Sequence, residues 1–154
     1  HFFADQILSF LDTYHIDVSQ ADCLVPIPLH PARLRERGYN QSQLIAELIA
    51  QELRVPVISH NLIRTRHTPN QARLTQKERW TNIQAAFKIK NPNEFRDKKI
   101  LIIDDLYTTG ATISEAARLL KAAGAEEAKA LVLAVAVPKQ SKRKNADPAQ
   151  LYLE

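Results

Sequence analysis

The chain has a single cysteine, Cys23, among its 154 residues. One thiol excludes an intramolecular disulfide and any zinc site built from several cysteines. Cys23 lies in an apolar run, where a free cysteine reads as a packed core thiol rather than a reactive one. Long hydrophobic runs are also missing. The longest, Ala130 to Val137, is far short of the ~20 residues a membrane span needs, so no transmembrane helix is expected. The first residues, His1-Phe2-Phe3-Ala4-Asp5, lack a basic stretch followed by an apolar one, and no secretory signal is expected. Neither a G-x-x-x-x-G-K-[ST] loop nor a G-x-G-x-x-G fingerprint occurs, which excludes the two commonest nucleotide-binding turns. Glycine is scarce. There are three, where an average usage of ~7% would give about eleven. Each glycine therefore marks a conformational need: Gly124 as a helix stop, Gly38 after an arginine cluster, and Gly110 in the most informative segment of the chain.

What is present describes one folded domain. Hydrophobic residues make up 45% and charged residues 25%, in a mixed pattern, so wholesale disorder is excluded. A chain of this length buries about 68–70% of its unfolded surface. The formal charge of +4 permits an anionic partner without demanding one. A soluble, cytoplasmic protein is expected.

Phe3, Ile7, Leu8, Leu11 and Tyr14 recur at helical spacing and predict an opening helix. Cys23 to Pro28 reads as a buried strand running into a turn, its prolines suiting a strand end or edge. From Leu29 to Tyr39 the apolar pattern breaks and charge gathers. Leu44, Ile45, Leu48, Ile49 and Leu53 form the next helical stripe, and Val55 to Ile58 a short strand. His60 to Trp80 is polar and basic; Thr75-Gln76-Lys77-Glu78 within it has the spacing of a helix capping box. Ile100 to Ile103 is a continuous apolar run, as in a parallel strand covered on both faces. Thr112-Ile113-Ser114-Glu115 is a second capping box, starting a helix that Gly124 stops. Ala130 to Val137 is another buried strand. Strands alternating with helices give an α/β fold with a mostly parallel sheet flanked by helices. Residues 1–137 are expected to form the domain, and residues 138–154, with Lys139, Lys142, Arg143 and Lys144, a basic C-terminal tail.

The informative segment runs Ile102-Ile103-Asp104-Asp105-Leu106-Tyr107-Thr108-Thr109-Gly110-Ala111-Thr112. A buried strand ends in two adjacent carboxylates, a loop of threonines and one glycine follows, and a helix begins. Ligands of open parallel sheets bind beyond the carboxyl ends of the strands. Backbone N–H groups and hydroxyls at a helix N-terminus make an anion site, whereas adjacent acids repel phosphate and suit hydroxyl groups or a metal. A ligand fitting both halves carries a phosphate at one end and a diol beside it, the shape of a ribose 5-phosphate. The alternative is that both acids merely cap the next helix or pair with local arginines. A haloacid-type phosphatase wants Asp-x-Asp, and a receiver domain wants a further phospho-acceptor aspartate after another strand; neither pattern is evident.

These residues carry a resemblance. Leu101 to Thr112 is similar to the phosphoribosyl-pyrophosphate (PRPP) motif of type I phosphoribosyltransferases. More closely, the chain resembles the ComF/GntX family of competence-associated, phosphoribosyltransferase-like proteins. The matching pieces are collinear over about residues 23 to 137. They are Val25-Pro26-Ile27-Pro28-Leu29-His30, Arg35-Glu36-Arg37-Gly38-Tyr39-Asn40-Gln41, Arg64-Thr65-Arg66, Asn70-Gln71-Ala72, Arg79, Asn82, Ala86-Phe87 and Asp104 to Thr112. Tyr107 stands where biosynthetic phosphoribosyltransferases commonly carry a small aliphatic residue, which favours ComF. Many ComF-like chains open with a cysteine-rich, zinc-ribbon-like segment. Its absence here is expected to mean a truncated chain or a shorter variant.

The resemblance implies a type I phosphoribosyltransferase-like fold with a small hood region, and roles position by position. Asp104 and Asp105 would hold the ribose hydroxyls. Leu106, Tyr107, Thr108, Thr109, Gly110, Ala111 and Thr112 would complete the ribose 5-phosphate site, with Thr108 to Thr112 cradling the phosphate. Pro28, Leu29 and His30, with Arg37 nearby, would face the pyrophosphate. Arg64 to Arg79 would correspond to the mobile hood, with Arg64 and Arg66 joining the two acids as catalytic candidates. Mg²⁺ would be brought in on the pyrophosphate, with no direct protein ligands. The implied activity is Mg²⁺-dependent phosphoribosyl transfer with pyrophosphate release, linked to DNA uptake. Two alternatives stand beside it. One is a non-catalytic PRPP- or nucleotide-binding module acting through DNA-uptake partners. The other is a single-stranded DNA binder using Arg64, Arg66, Arg73, Lys77 and Arg79 with Trp80 as a stacking platform, although aromatic interleaving is poor.

Overall fold

The computed structural model describes residues 18–66 and 85–136, together with residues 7, 9, 13 and 83. Ile7, Ser9 and Thr13 have helical backbone, as the opening stripe predicts. The tail beyond Ala136, the capping-box candidate at Thr75 and most of the hood stretch, including Arg73, Lys77, Arg79 and Trp80, lie outside the described residues.

Three parallel strands form the main sheet: β1 (Cys23–Pro26), β4 (Lys99–Tyr107) and β5 (Glu127–Val135), in the order β1-β4-β5. Val57 adds an isolated parallel bridge to Leu24 on the far side of β1, with Leu24 N–H donating to the Pro56 carbonyl and Ile58 N–H to the Leu24 carbonyl. The segment read as a short strand at Val55 to Ile58 thus pairs through this one bridge. A separate antiparallel pair joins β2 (Leu62–Arg64) to β3 (Phe87–Ile89).

Helices cover both faces. α2 (Gln41–Leu53) follows the short α1 (Pro31–Arg37) and packs Ala46, Ile49 and Ala50 against Leu24, Leu101, Ile103 and Leu131. α3 (Ala111–Ala122) packs Ala111, Ile113, Ala116 and Leu120 against Val25, Ile100, Ile102 and Ala130 on the other face. Sandwiching explains why Ile100 to Ile103 reads as an unbroken apolar run. Cys23 is fully buried, and burial pushes its thiol up to about 11, which keeps it protonated and inert.

Three details differ from the sequence reading. α1 was not foreseen because it buries no residue and so leaves no apolar stripe. It is held at its ends instead: His30 Nδ1 accepts from Ala32 N–H at 3.2 Å, and left-handed Gly38 returns its N–H to Leu34 O at 2.8 Å. Leu44, placed in the α2 stripe, is 47% exposed, and the buried face runs instead through Ser42, Ala46, Ile49 and Ala50. The capping box at Thr112 does not form. α3 is capped two residues earlier, by Gly110, and starts at Ala111, and Glu115 accepts from Ala85 N–H at 3.0 Å and pairs with Arg118 at 2.8 Å. Arg118 and the Ala85 amide hold the Glu115 carboxyl below its usual value despite burial.

The β2–β3 pair is anchored by a buried amide. Asn61 is 1% exposed. Its Oδ1 accepts from Lys90 N–H (3.0 Å) and Asn91 N–H (2.8 Å), and its Nδ2 donates to Asn91 O (2.8 Å) and Glu94 Oε2 (2.6 Å). One side chain thereby satisfies the backbone where the chain leaves β3.

Candidate functional site

The chain leaves β1 and β4 in opposite directions. From β1 it runs through α1 and α2 to the bridge at Val57, and from β4 through α3 to β5. A crevice therefore opens beyond the carboxyl ends of β1 and β4, the switch point where open α/β sheets take ligands. The crevice has a built floor. β1 ends at Pro26, opposite Ile103, and the last link between the strands is Ile27 N–H to Ile103 O at 2.9 Å. β4 continues to Tyr107, opposite Val135. Asp104 to Tyr107 thus have strand β5 on one side and no β1 partner on the other. The sequence reading ended the strand at the acids; β5 pairing carries it past them.

Adjacent residues of a strand face opposite sides, and the two acids differ accordingly. Asp104 is 8% exposed, whereas Asp105 is half-buried. Asp104 Oδ1 accepts from Ser42 Oγ at 3.1 Å and from Asp105 N–H at 3.0 Å. Burial, then the neighbouring Asp105 charge, pushes the Asp104 carboxyl up to about 7, against the pull of the Ser42 bond. Arg64, at the end of β2, lies over the Phe87 ring at 5.5 Å. Burial pulls its guanidinium below the usual value while Asp104 acts to raise it. Asp104 is therefore enclosed by elements remote in sequence: α2 through Ser42, and β2 through the field of Arg64.

The loop after β4 folds back on itself. Gly110 has φ +76°, and a Cβ placed on it would stand 2.6 Å from the Tyr107 hydroxyl and 3.0 Å from Tyr107 Cζ. Glycine is required twice over, by the left-handed backbone and by the tyrosine ring. Gly110 is also the N-cap of α3 and supplies no side-chain acceptor. Thr109 Oγ1 approaches Ala111 N–H only at 3.5 Å. Thr108, Thr109 and Thr112 are half-buried around the start of this twelve-residue helix, whose first amides lie beyond the reach of intrahelical acceptors.

Other sequence candidates are distributed unevenly. Pro28, Leu29 and His30 follow β1 after the buried Ile27 and are half-buried, with Asn40 Nδ2 donating to Ile27 O at 3.0 Å and so tying the start of α2 to this turn. His30 spends Nδ1 on capping α1. Arg37 is exposed and stacks on Tyr39 at 5.9 Å. Arg66 is exposed where the described part of the hood ends, its N–H turned to Ala86 O at 3.4 Å. Ser42 was missed. A serine in the first turn of a helix reads as a solvated hydroxyl, and only the fold reveals its partner 62 positions away. Among the described residues, no group of three or more His, Cys, Asp or Glu side chains is placed to hold a metal ion, and no helix is long and apolar enough to cross a membrane.

The family model of the phosphoribosyl transferase domain matches residues 40–152. The chain belongs to that family. Within it the chain falls among ComF-type proteins, as the motifs imply. Competence protein F of Haemophilus influenzae is 35% identical over 107 residues, covering 69% of this chain and 47% of that protein. DNA utilization protein YhgH of Escherichia coli strain K12 is 36% identical over 104 residues, covering 68% and 45%. Competence protein ComFC of Bacillus subtilis is 41% identical over 97 residues, covering 63% and 37%. The phosphoribosyl transferase domain chain thus spans about half the length, or less, of these curated relatives. Its fold is shared with the purine phosphoribosyltransferase of Pyrococcus horikoshii, at 16% identity and a TM-score of 0.50, covering 88% of this chain and 75% of that one. The same holds for the glutamine PRPP amidotransferase of B. subtilis, at 18% identity and 0.52, covering 78% and 24%.

Proposed function

We propose that the crevice binds PRPP and that the domain transfers its phosphoribosyl group to an acceptor, releasing pyrophosphate. One observation carries the reading: two acids on the overhanging end of β4 lead, through a threonine loop, into an α3 N-terminus without a side-chain cap. This order suits a ligand with vicinal hydroxyls beside a terminal phosphate. Asp105, the more exposed acid, and Asp104 beside it accept from the ribose hydroxyls. The α3 amides and the hydroxyls of Thr108, Thr109 and Thr112 receive the 5-phosphate. The turn at Pro28 to His30 faces the pyrophosphate across the crevice, with Arg37 nearby. Mg²⁺ enters on the pyrophosphate as part of the substrate.

Transfer breaks the bond between ribose C1 and the pyrophosphate oxygen. The bonding pair leaves with pyrophosphate, and an acceptor lone pair forms the new bond to C1. Positive charge grows on the sugar and negative charge on the leaving group. Carboxylates beside the ring favour the first, and the guanidiniums of Arg64 and Arg66 favour the second. A hood over the site would keep water from the activated sugar. The test is pyrophosphate release from PRPP with Mg²⁺ across a panel of bases, amides and nucleotides. Release with one acceptor class is expected; silence throughout, with PRPP binding intact, removes the transferase reading.

A second reading is favoured by the relatives' names, which refer to competence and DNA utilization. In it the domain binds PRPP without turnover and acts in DNA uptake through other proteins or single-stranded DNA. Of the basic residues considered for a DNA track, Arg64 lies against Phe87 within the fold, which supports a place in the crevice over one on an open strand path. Affinity for single strands that falls steeply with salt, alongside PRPP binding, would support this second reading.

A further inference from the structure

We infer that Ser42 is a positioning residue for the candidate site: its hydroxyl fixes the Asp104 carboxylate so that one oxygen is held by the protein and the other is presented to a ligand hydroxyl. The inference deepens the PRPP reading and rests on it for the ligand, but its geometry stands apart from it.

The position is unusual for a serine. Ser42 begins the buried stripe of α2 that continues through Ala46, Ile49 and Ala50, and it is 4% exposed. Alanine would extend that stripe, has the higher helix propensity, and would leave no hydroxyl to desolvate. A buried hydroxyl is costly unless bonded. Here it is bonded to the Asp104 carboxylate at 3.1 Å. The Asp105 N–H donates to the same oxygen, Oδ1, at 3.0 Å. Two donors on one oxygen, arriving from α2 and from β4 itself, fix the carboxylate plane and leave Oδ2 as the oxygen for a ligand. The start of α2 is itself held against the neighbouring turn by Asn40 Nδ2 donating to Ile27 O at 3.0 Å. A short run of sequence, Asn40 to Ser42, therefore ties the turn after β1 to the acid on β4, the two walls of the crevice.

The charged neighbours of Asp104 are Asp105 on its own strand and Arg64 on β2; Ser42 is the neutral donor from α2. A donor to Oδ1 favours the ionised carboxylate. Loss of the hydroxyl therefore makes Asp104 harder to ionise as well as freer to turn.

The experiment uses Ser42→Ala and Ser42→Thr in the full chain. First, without ligand, the carboxyl carbon of Asp104 is titrated by NMR; its midpoint should rise by about one unit in S42A, and S42T should restore it. Second, Mg²⁺–PRPP is titrated calorimetrically from pH 5.5 to 9, with inorganic phosphate as a probe of the α3 end alone. At pH 7, S42A should bind PRPP roughly fivefold more weakly, because moving the midpoint from about 7 to about 8 cuts the ionised fraction from about a half to about a tenth, with its pH inflection moved upward and phosphate affinity unchanged. An Asp104 midpoint unmoved in S42A overturns the inference. So does a moved midpoint with unchanged PRPP affinity at every pH, which would leave Ser42 a purely structural role. If the unaltered protein binds no PRPP, the functional reading fails, and the ligand-free titration alone still decides whether Ser42 governs Asp104.

Discussion

Asp104 is where structure and titration meet at the residue scale. Its carboxyl is raised from 3.8 to about 7 by burial and by Asp105. Between those values the folded chain holds a proton that the unfolded chain has released. Stability therefore falls as pH rises from about 4 to 7 and is level outside that window. At about 1.4 kcal/mol per unit, the loss is at most roughly 4 kcal/mol. Asp104→Asn, which keeps an acceptor for Ser42, should raise the thermal midpoint of the ligand-free protein at pH 8, with the gain vanishing near pH 4. Chemical denaturation at the two pH values reads it directly. Gly110 gives a second prediction. Gly110→Ala should destabilise through overpacking against Tyr107, by about 1–3 kcal/mol, and through its φ of +76°. In a Tyr107→Leu background the overpacking part should disappear while the backbone part remains, so a double-mutant cycle should show coupling. That glycine was legible in sequence as a conformational need, but its collision with the tyrosine three residues earlier was not, since ring placement depends on the fold of the loop.

At the scale of elements, what was legible depended on whether an element buries a face. β4 and α3 were readable because their apolar residues pack the core. The end of β4 was not, because pairing with β5 holds Asp104 to Tyr107 in the strand against their polar character. α1 was invisible because capping at His30 and Gly38, not burial, stabilises it. His30→Ala should therefore cost about 1 kcal/mol and loosen α1 locally, read as faster amide exchange at Ala32 to Arg35. The acid pair and glycine loop of the site showed in the local motif, whereas Ser42 and Asn40 did not, because their partners lie across the sheet. Asn61 belongs with them. Asn61→Ala would leave Lys90 N–H its bond to the Asn61 carbonyl at 3.1 Å but strand the Asn91 amide, costing about 1–3 kcal/mol. It should thus lower the thermal midpoint well beyond the effect of an exposed substitution.

For the whole molecule, the decisive feature is that β1 and β4 send their chains to opposite faces of one parallel sheet. That divergence creates the crevice, the early stop of β1 at Pro26 exposes the floor, and the overhang of β4 places two carboxylates upon it. None of these depends on the hood, so ligand recognition at the two acids should persist in variants altered only in the hood. The most direct measurement is calorimetric titration of Mg²⁺–PRPP into the folded chain and into Asp105→Asn, with ribose 5-phosphate and inorganic phosphate as comparison ligands. The account predicts saturable binding of PRPP, weaker binding of ribose 5-phosphate, and at least a tenfold loss for both in Asp105→Asn with phosphate unaffected. Equal binding of PRPP by both proteins, or no heat with any phosphorylated pentose, would contradict it.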